Sequence, residues 1–326
     1  MILAGDVGAT KTILALAEPT GDADFAIVRE RRFASGEHDG LEPVVREFLS
    51  EGEETVEAVS IGIACPIVEG VCEMTNLGWR VDRDSLRDGL GIDEVGLLND
   101  LEATAYGIDA LGPDQIETIH EGVERSGTSA LLAPGSGLGA AILTHLDGRP
   151  LVLPTEGGHV DYAPRNPLEW ELLEHLAEEH GRVSVERIVS GPGLHAIYRF
   201  LRDTGREEEP EWLAERLAAS EDASATISGC ALEGEAEICE AALRRFVASF
   251  GAAAGNLALA TLALGGVYLG GGIAPKILPK LKEGPFVDAF LEKGRMADLL
   301  ADVPVRVVLE PRTALLGAAR HGLLHV

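Results

Sequence analysis

Asp100 is placed to take a proton. It lies in Val95–Gly107, which reads VGLLNDLEATAYG. Val95 to Leu98 is a short apolar run that suits a buried strand, and Leu101 to Tyr106 reads as the first turns of a helix. A carboxylate at the carboxyl end of a strand sits where open α/β sheets present their chemistry. The positive end of a helix dipole there favours the ionised form. Such a group can accept a proton from a substrate hydroxyl. A second reading stands beside it: Asn99 or Asp100 simply caps the helix.

Five other stretches carry groups suited to a ligand. Asp6-Val7-Gly8-Ala9-Thr10-Lys11-Thr12 lies between two apolar runs, a hairpin whose turn aims successive N–H groups at one point, as a phosphate nest does. Thr10 and Thr12 add hydroxyls there. Asp6 suits a hydrated Mg²⁺ bound through water, and Lys11 reads chiefly as a solvated side chain. Pro134-Gly135-Ser136-Gly137-Leu138-Gly139 repeats the plan of strand, glycine turn and strand. Thr155 to Tyr162 is dense in hydrogen-bonding groups, and Glu156 and His159 are close enough to meet one small polar ligand; a structural histidine is the alternative. Gly270-Gly271-Gly272 stops a short strand before a helix expected near Ala274-Pro275, a junction where a flat ring or a ribose can approach the backbone. The loop of Asn76 and Trp79 suits a sugar pocket, and Trp79 suits the core equally.

Positioning these groups takes alternating strands and helices. Strands are expected at 25–33, 56–64, 71–74 and 303–309. Helices are expected at 40–50, 83–90 (capped by Asp82), 167–181, 194–204, 211–219, 235–264 and 313–324. A domain boundary falls near Gly107 to Gly112. The two glycine hairpins, at 1–17 and 130–143, suggest two related halves facing one ligand.

Composition excludes several classes. Lys and Arg total 27 against 54 for Asp and Glu, a formal charge of -27 over 326 residues. Such a surface repels nucleic-acid phosphates and anionic membranes. An anionic ligand therefore needs local devices such as backbone amides and a cation. Cys65, Cys72, Cys230 and Cys239 form no C-x-x-C pair or zinc spacing, so reduced, mostly buried thiols are expected. No signal peptide is expected at the start. Residues 246–275 carry no charge, but their glycine breaks read as a buried helix followed by a buried strand.

The motifs together resemble the bacterial glucokinase family of the hexokinase type, within the superfamily of sugar kinases, heat-shock chaperones and actin. The resembling pieces are DVGAT at 6–10, MTNLGW at 74–79, LLNDLEATAYG at 97–107, PGSGLG at 134–139, EGGHVDYAP at 156–164, ERIVSGPGL at 186–194 and YLGGGIAPKIL at 268–278. Any one is weak; their common order is specific. The resemblance implies two ribonuclease-H-like (actin-like ATPase) α/β domains with an active cleft between them. The smaller would hold 1–107 and take back 303–326; the larger would hold 108–302. It implies Mg-ATP-dependent phosphorylation of D-glucose at the 6-hydroxyl in the cytoplasm, by a homodimer, with Asp100 as general base. Asn76, Asn99, Glu156, His159 and Glu186 would bind the sugar. Asp6, Gly8, Ala9, Thr10, Lys11 and the loop from Gly135 through Ser136 and Gly137 to Gly139 would bind phosphates and magnesium, and Gly270, Gly271 and Gly272 would lie against the adenosine. Ala9 departs from the family's usual glycine, and its Cβ would restrict positive φ. A kinase for mannose, fructose or an N-acetylhexosamine, a non-catalytic sugar sensor and an actin-like assembly protein are the rival readings.

Overall fold

The structure is a computed structural model that describes residues 1–21 and 24–325; Val326, the last residue of the expected smaller domain, lies outside them. Two compact units emerge. One comprises Met1–Gln115, Leu143–Pro154 and Glu310–Val326, the other Ile116–Ile142 and Thr155–Leu309.

The first unit is built on five strands, β1 (Ile2–Val7), β2 (Lys11–Pro19), β3 (Phe25–Ala34), β4 (Ala58–Ile63) and, after the hairpin of β5 (Val71–Met74) and β6 (Trp79–Asp82), β7 (Glu94–Asn99). Their order is β3-β2-β1-β4-β7. β1, β2 and β3 form an antiparallel meander, and β1, β4 and β7 run parallel. The apolar runs of β1 and β4 are buried nearly throughout, as strands covered on both faces require. The second sheet repeats this plan. With β8 (Ile116–His120), β9 (Ser129–Pro134), β10 (Leu138–Leu146), β11 (Arg149–Thr155), β12 (Gly266–Leu269) and β13 (Val305–Val308), its order is β11-β10-β9-β12-β13-β8. β9, β12 and β13 are parallel. The same meander-plus-parallel order in both sheets is the two-halves relation that the glycine hairpins suggested.

Three expectations change. β13, expected with the first domain, pairs with β12 and β8 in the second sheet, Val267 opposite Val305. A short apolar strand fits the middle of either sheet, so its sequence does not choose. The helix expected near Ala274 starts only at Leu278 and ends at Leu281, because turns occupy 271–277. Cys65 and Cys72 are joined in a disulfide, with Cα atoms 6.1 Å apart, whereas Cys230 and Cys239 are free and buried. Residues 246–275 do contain a buried helix, part of Glu237–Thr261, followed by β12. Among the described residues no helix is long and apolar enough to cross a membrane.

The helix Asp100–Ile108 is held by small residues. A Cβ on Gly317, in the helix Thr313–His325, would come 1.7 Å from the Ala103 carbonyl oxygen, and one on Gly107 would come 2.1 Å from the Thr313 carbonyl oxygen. The two helices therefore approach backbone to backbone. Gly317→Ala is expected to cost ~1–3 kcal/mol through overpacking and to shift the helix that begins with Asp100, slowing the reaction that the family resemblance implies. Thermal unfolding and a rate assay on the variant test this; an unchanged melting temperature would contradict it.

His321, on the same C-terminal helix, lies 3.0 Å from the Ser60 hydroxyl through Nδ1. Burial, reinforced by nearby His325, pushes its pKa down to about 3. In the unfolded chain the ring titrates near about 6.5, so from there down to the folded value only the unfolded chain gains the proton. Stability then falls as pH falls, by ~1.4 kcal/mol per unit for this group, and above about pH 6.5 the group contributes no slope. Denaturant melts across this window should show a shallower pH dependence for His321→Gln; equal slopes would contradict the assignment.

Candidate active site

One edge of the first sheet gathers two of the candidate stretches. In register, Val7 of β1 pairs with Ile63 of β4, and Ile63 with Asn99 of β7. The turn at 8–11 and the Asn99–Asp100 pair therefore leave the sheet at the same edge, two strand spacings or about 10 Å apart. Asn99 is the helix cap: its side-chain oxygen accepts from the Glu102 N–H at 2.7 Å, and the Glu102 carboxylate returns to the Asn99 N–H. Asp100 is the first helical residue, half-buried, and its Oδ1 accepts from the Leu101 N–H at 2.9 Å.

The turn at 8–11 is narrow and braced. The Gly8 N–H donates to the Lys11 carbonyl at 2.9 Å. Ser35, fully buried, donates through its hydroxyl to the Gly8 carbonyl at 2.7 Å and lies 3.0 Å from the Thr12 hydroxyl. The Ser35 N–H also donates to the Thr10 carbonyl. Ser35 is a brace of this turn that sequence reading missed, since nothing marks a serine 23 positions from its partner Thr12. Ala9 does not take positive φ, so its Cβ is accommodated without backbone strain. Asp6 is half-buried on β1; burial raises its pKa, and Lys11 partly offsets this. Asn76 is exposed in the reversal between β5 and β6, where Leu77 and Gly78 both donate to the Met74 carbonyl.

The second unit gathers another set. Glu156 precedes a single 3₁₀ turn, Gly157–His159. The His159 ring is 3.9 Å from the Glu156 carboxylate on one side and 3.8 Å from that of Glu186 on the other. Glu186 reaches further: its Oε2 accepts from the Leu138 N–H at 2.9 Å, at the end of the glycine turn. A Cβ on Gly137 would stand 2.7 Å from that same oxygen, which explains the glycine there. Backbone bonds from Tyr162 to Val183 and from Val185 to Val160 pin the two loops together. Glu156 and His159 stay mostly exposed, while the Glu186 side chain is 25% exposed. This arrangement can answer several hydroxyls at once, since carboxylates accept and imidazole both donates and accepts.

Beside it lies a cavity of ≈ 610 Å³, within the range of small-molecule sites. Gly135 and Ser136 of the glycine turn, Gly272, Ser224, Ser228 and Lys276 are among its lining residues. Gly271 has φ +75°, and its missing Cβ lets it lie against the Pro134 carbonyl. Gly270 donates to the Leu132 carbonyl, so the two glycine segments are stacked strand end to strand end. Gly139, expected in the turn, lies in β10 instead. Ser224 and Ser228 come from a helix, Ala223–Glu233, in a stretch to which the sequence reading assigned no element. Among the described residues no three or more His, Cys, Asp or Glu side chains are arranged so that they could hold a metal ion.

The glucokinase family profile matches residues 3–324. The chain is 40% identical to a glucokinase of Nostoc sp. over 334 residues, 98% of each chain. A crystal structure of glucokinase from an Antarctic psychrotroph superimposes with a TM-score of 0.86 at 33% identity, covering 98% of both chains. A glucokinase of the ROK family from Streptomyces griseus, solved with glucose and AMPPNP, shares the fold at a TM-score of 0.64 and 21% identity, with 98% of both chains covered. Both sheets carry the expected two-domain actin-like ATPase order, and the chain belongs to the glucokinase family.

Proposed function

We propose that this chain transfers the terminal phosphoryl group of ATP to the 6-hydroxyl of D-glucose, with Asp100 as general base. One observation carries the reading: Asn99 takes the helix cap, and Asp100 leaves the same sheet edge as the turn at 8–11. As the sugar oxygen attacks phosphorus, its proton passes to the Asp100 carboxylate, the new O–P bond forms and the bond to the ADP oxygen breaks. The other hydroxyls are held by Asn76, Asn99, Glu156, His159 and Glu186. The Asn99 oxygen is engaged in capping, so its amide nitrogen is the donor. The phosphates lie against Gly8, Ala9, Thr10 and Lys11 and the turn from Gly135 to Gly137. The adenosine lies against Gly270, Gly271 and Gly272.

The donor set fits magnesium. Asp6 is a half-buried carboxylate for which burial disfavours an isolated charge, and Mg²⁺ takes few carboxylates and keeps its waters. Asp6 would hold the ion through water, and the ion would supply positive charge that offsets the charge developing on the phosphates. Phosphoryl transfer is otherwise mostly positioning, which suits a site built from backbone turns and carboxylates. The proposed compartment is the cytoplasm and the proposed assembly a homodimer, both on the family resemblance; light scattering that returns the mass of one chain would remove the dimer.

A coupled assay that varies sugar and donor independently tests the function. ADP production should be fastest with glucose and ATP. Faster turnover of mannose, fructose or an N-acetylhexosamine would move the assignment to that sugar. Turnover with polyphosphate alone would overturn the donor, and no ADP with any sugar would leave a sensor.

A further inference from the structure

The Cys65–Cys72 disulfide ties the segment that follows β4 to β5, the first strand of the β5–β6 hairpin. The Ala64 N–H donates to the Val7 carbonyl at 3.0 Å, which ties the start of the segment to the strand that leads into the turn at 8–11. Cys72 lies in β5, and the reversal that follows carries Asn76. Between the cysteines, Val68 and Val71 exchange both backbone hydrogen bonds at 3.0 Å. Glu69 and Gly70 have φ of 52° and 80°, the positive pair that a type I′ reversal requires. This reversal folds the chain back and sets the two Cα atoms 6.1 Å apart, within disulfide range. Cys72 is fully buried, whereas Cys65 is half-buried between exposed Ala64 and Pro66. One sulfur is open to a reagent and the other is shielded.

We infer that Cys65 and Cys72 form a reversible redox modification site, whose co-reactant is a dithiol of the protein-disulfide-reductase class, and whose state sets how firmly the Asn76 hairpin is tied to the end of β4. The coupling rests on the sugar contact proposed for Asn76. In reduction, a thiolate of the dithiol attacks Cys65 Sγ. The S–S bond breaks, and its electron pair leaves on Cys72 Sγ, which takes a proton. The second thiolate of the dithiol then attacks its neighbour in the mixed disulfide and releases Cys65, which is protonated in turn. The reductant ends as a disulfide and the chain holds two thiols; oxidation runs the same steps in reverse. With the bond closed, the hairpin has less freedom to lose when sugar binds, so the oxidised form binds glucose more tightly.

The test uses the full chain equilibrated with dithiothreitol or with oxidised glutathione, then blocked with N-ethylmaleimide in denaturant and weighed intact. Four cysteines should be alkylated after reduction, and after oxidation only Cys230 and Cys239. The KM for glucose should be about 5-fold or more higher in the reduced form, the low end of site-to-site couplings, with kcat little changed. Cys65→Ser should show the reduced-form KM under both treatments. Four alkylated cysteines after every treatment would overturn the site. A bond that forms while the wild-type KM stays constant and Asn76→Ala is impaired would remove the coupling alone. If Asn76→Ala also matches wild type in both forms, the sugar contact fails, and the coupling with it.

Discussion

Asp100→Asn is expected to lower kcat by ~10²–10⁴, the usual worth of a general base, while glucose still binds within a few-fold of wild type. The substitution is close to isosteric. An asparagine Oδ1 can accept from the Leu101 N–H as Asp100 does at 2.9 Å, and the cap belongs to Asn99, so the helix should start unchanged. What is lost is a group able to take a proton. Steady-state kinetics with a calorimetric binding measurement separate the two effects. Near-normal turnover would discard Asp100 as the base; lost sugar binding with a normal fold would instead make it a positioning residue.

Glu186→Ala should be the second large effect, because one carboxylate serves two loops. Its Oε2 holds the Leu138 N–H at 2.9 Å, and its Oε1 faces His159 at 3.8 Å. A hydrogen bond to a charged group is worth ~1.5–3 kcal/mol. Losing the proposed sugar contact should therefore lower kcat/KM for glucose on the order of 10- to 100-fold. The KM for ATP should rise as well, since the glycine turn loses its anchor at Leu138. Glu186→Gln should fall between wild type and Ala. A variant that loses glucose kinetics with an unchanged KM for ATP would show that the Leu138 bond does not position the nucleotide.

Much of this was legible in the residues, for local reasons. The strand–glycine–strand pattern at 1–17 and at 130–143 announced two hairpins, and the structure has both. The capped helix at Arg83–Leu90 matched its signal at Asp82, whose side chain accepts from the Ser85 N–H. What the sequence hid depends on distance along the chain. Ser35 braces the turn at 8–11 from 27 residues past Gly8, and no periodicity reports such a pairing. The placement of β13 depends on which sheet offers a parallel neighbour. The helix Ala223–Glu233 lends Ser224 and Ser228 to the cavity, yet its small residues give it no clear apolar stripe. The Cys65–Cys72 pair needed the reversal at Glu69–Gly70, which a six-residue spacing does not advertise.

The glycines show how the fold serves the site. Gly317 and Gly107 let the C-terminal helix press against the helix that begins with Asp100. Gly137 makes room for the Glu186 carboxylate, and Gly271 for the Pro134 carbonyl. Each removes a Cβ where backbone or a functional oxygen must come close. Precision at the two sheet edges thus rests on close backbone approach more than on side-chain bulk.

The proposed reaction moves phosphate to one particular oxygen. Incubating the purified chain with ¹³C-labelled glucose, ATP and magnesium, and following carbon and phosphorus resonances together, tests it most directly. Phosphorus coupling is expected at C6 alone, with ADP formed in equal amount. Phosphate on any other carbon, or ATP consumed while the sugar stays unmodified, would contradict it.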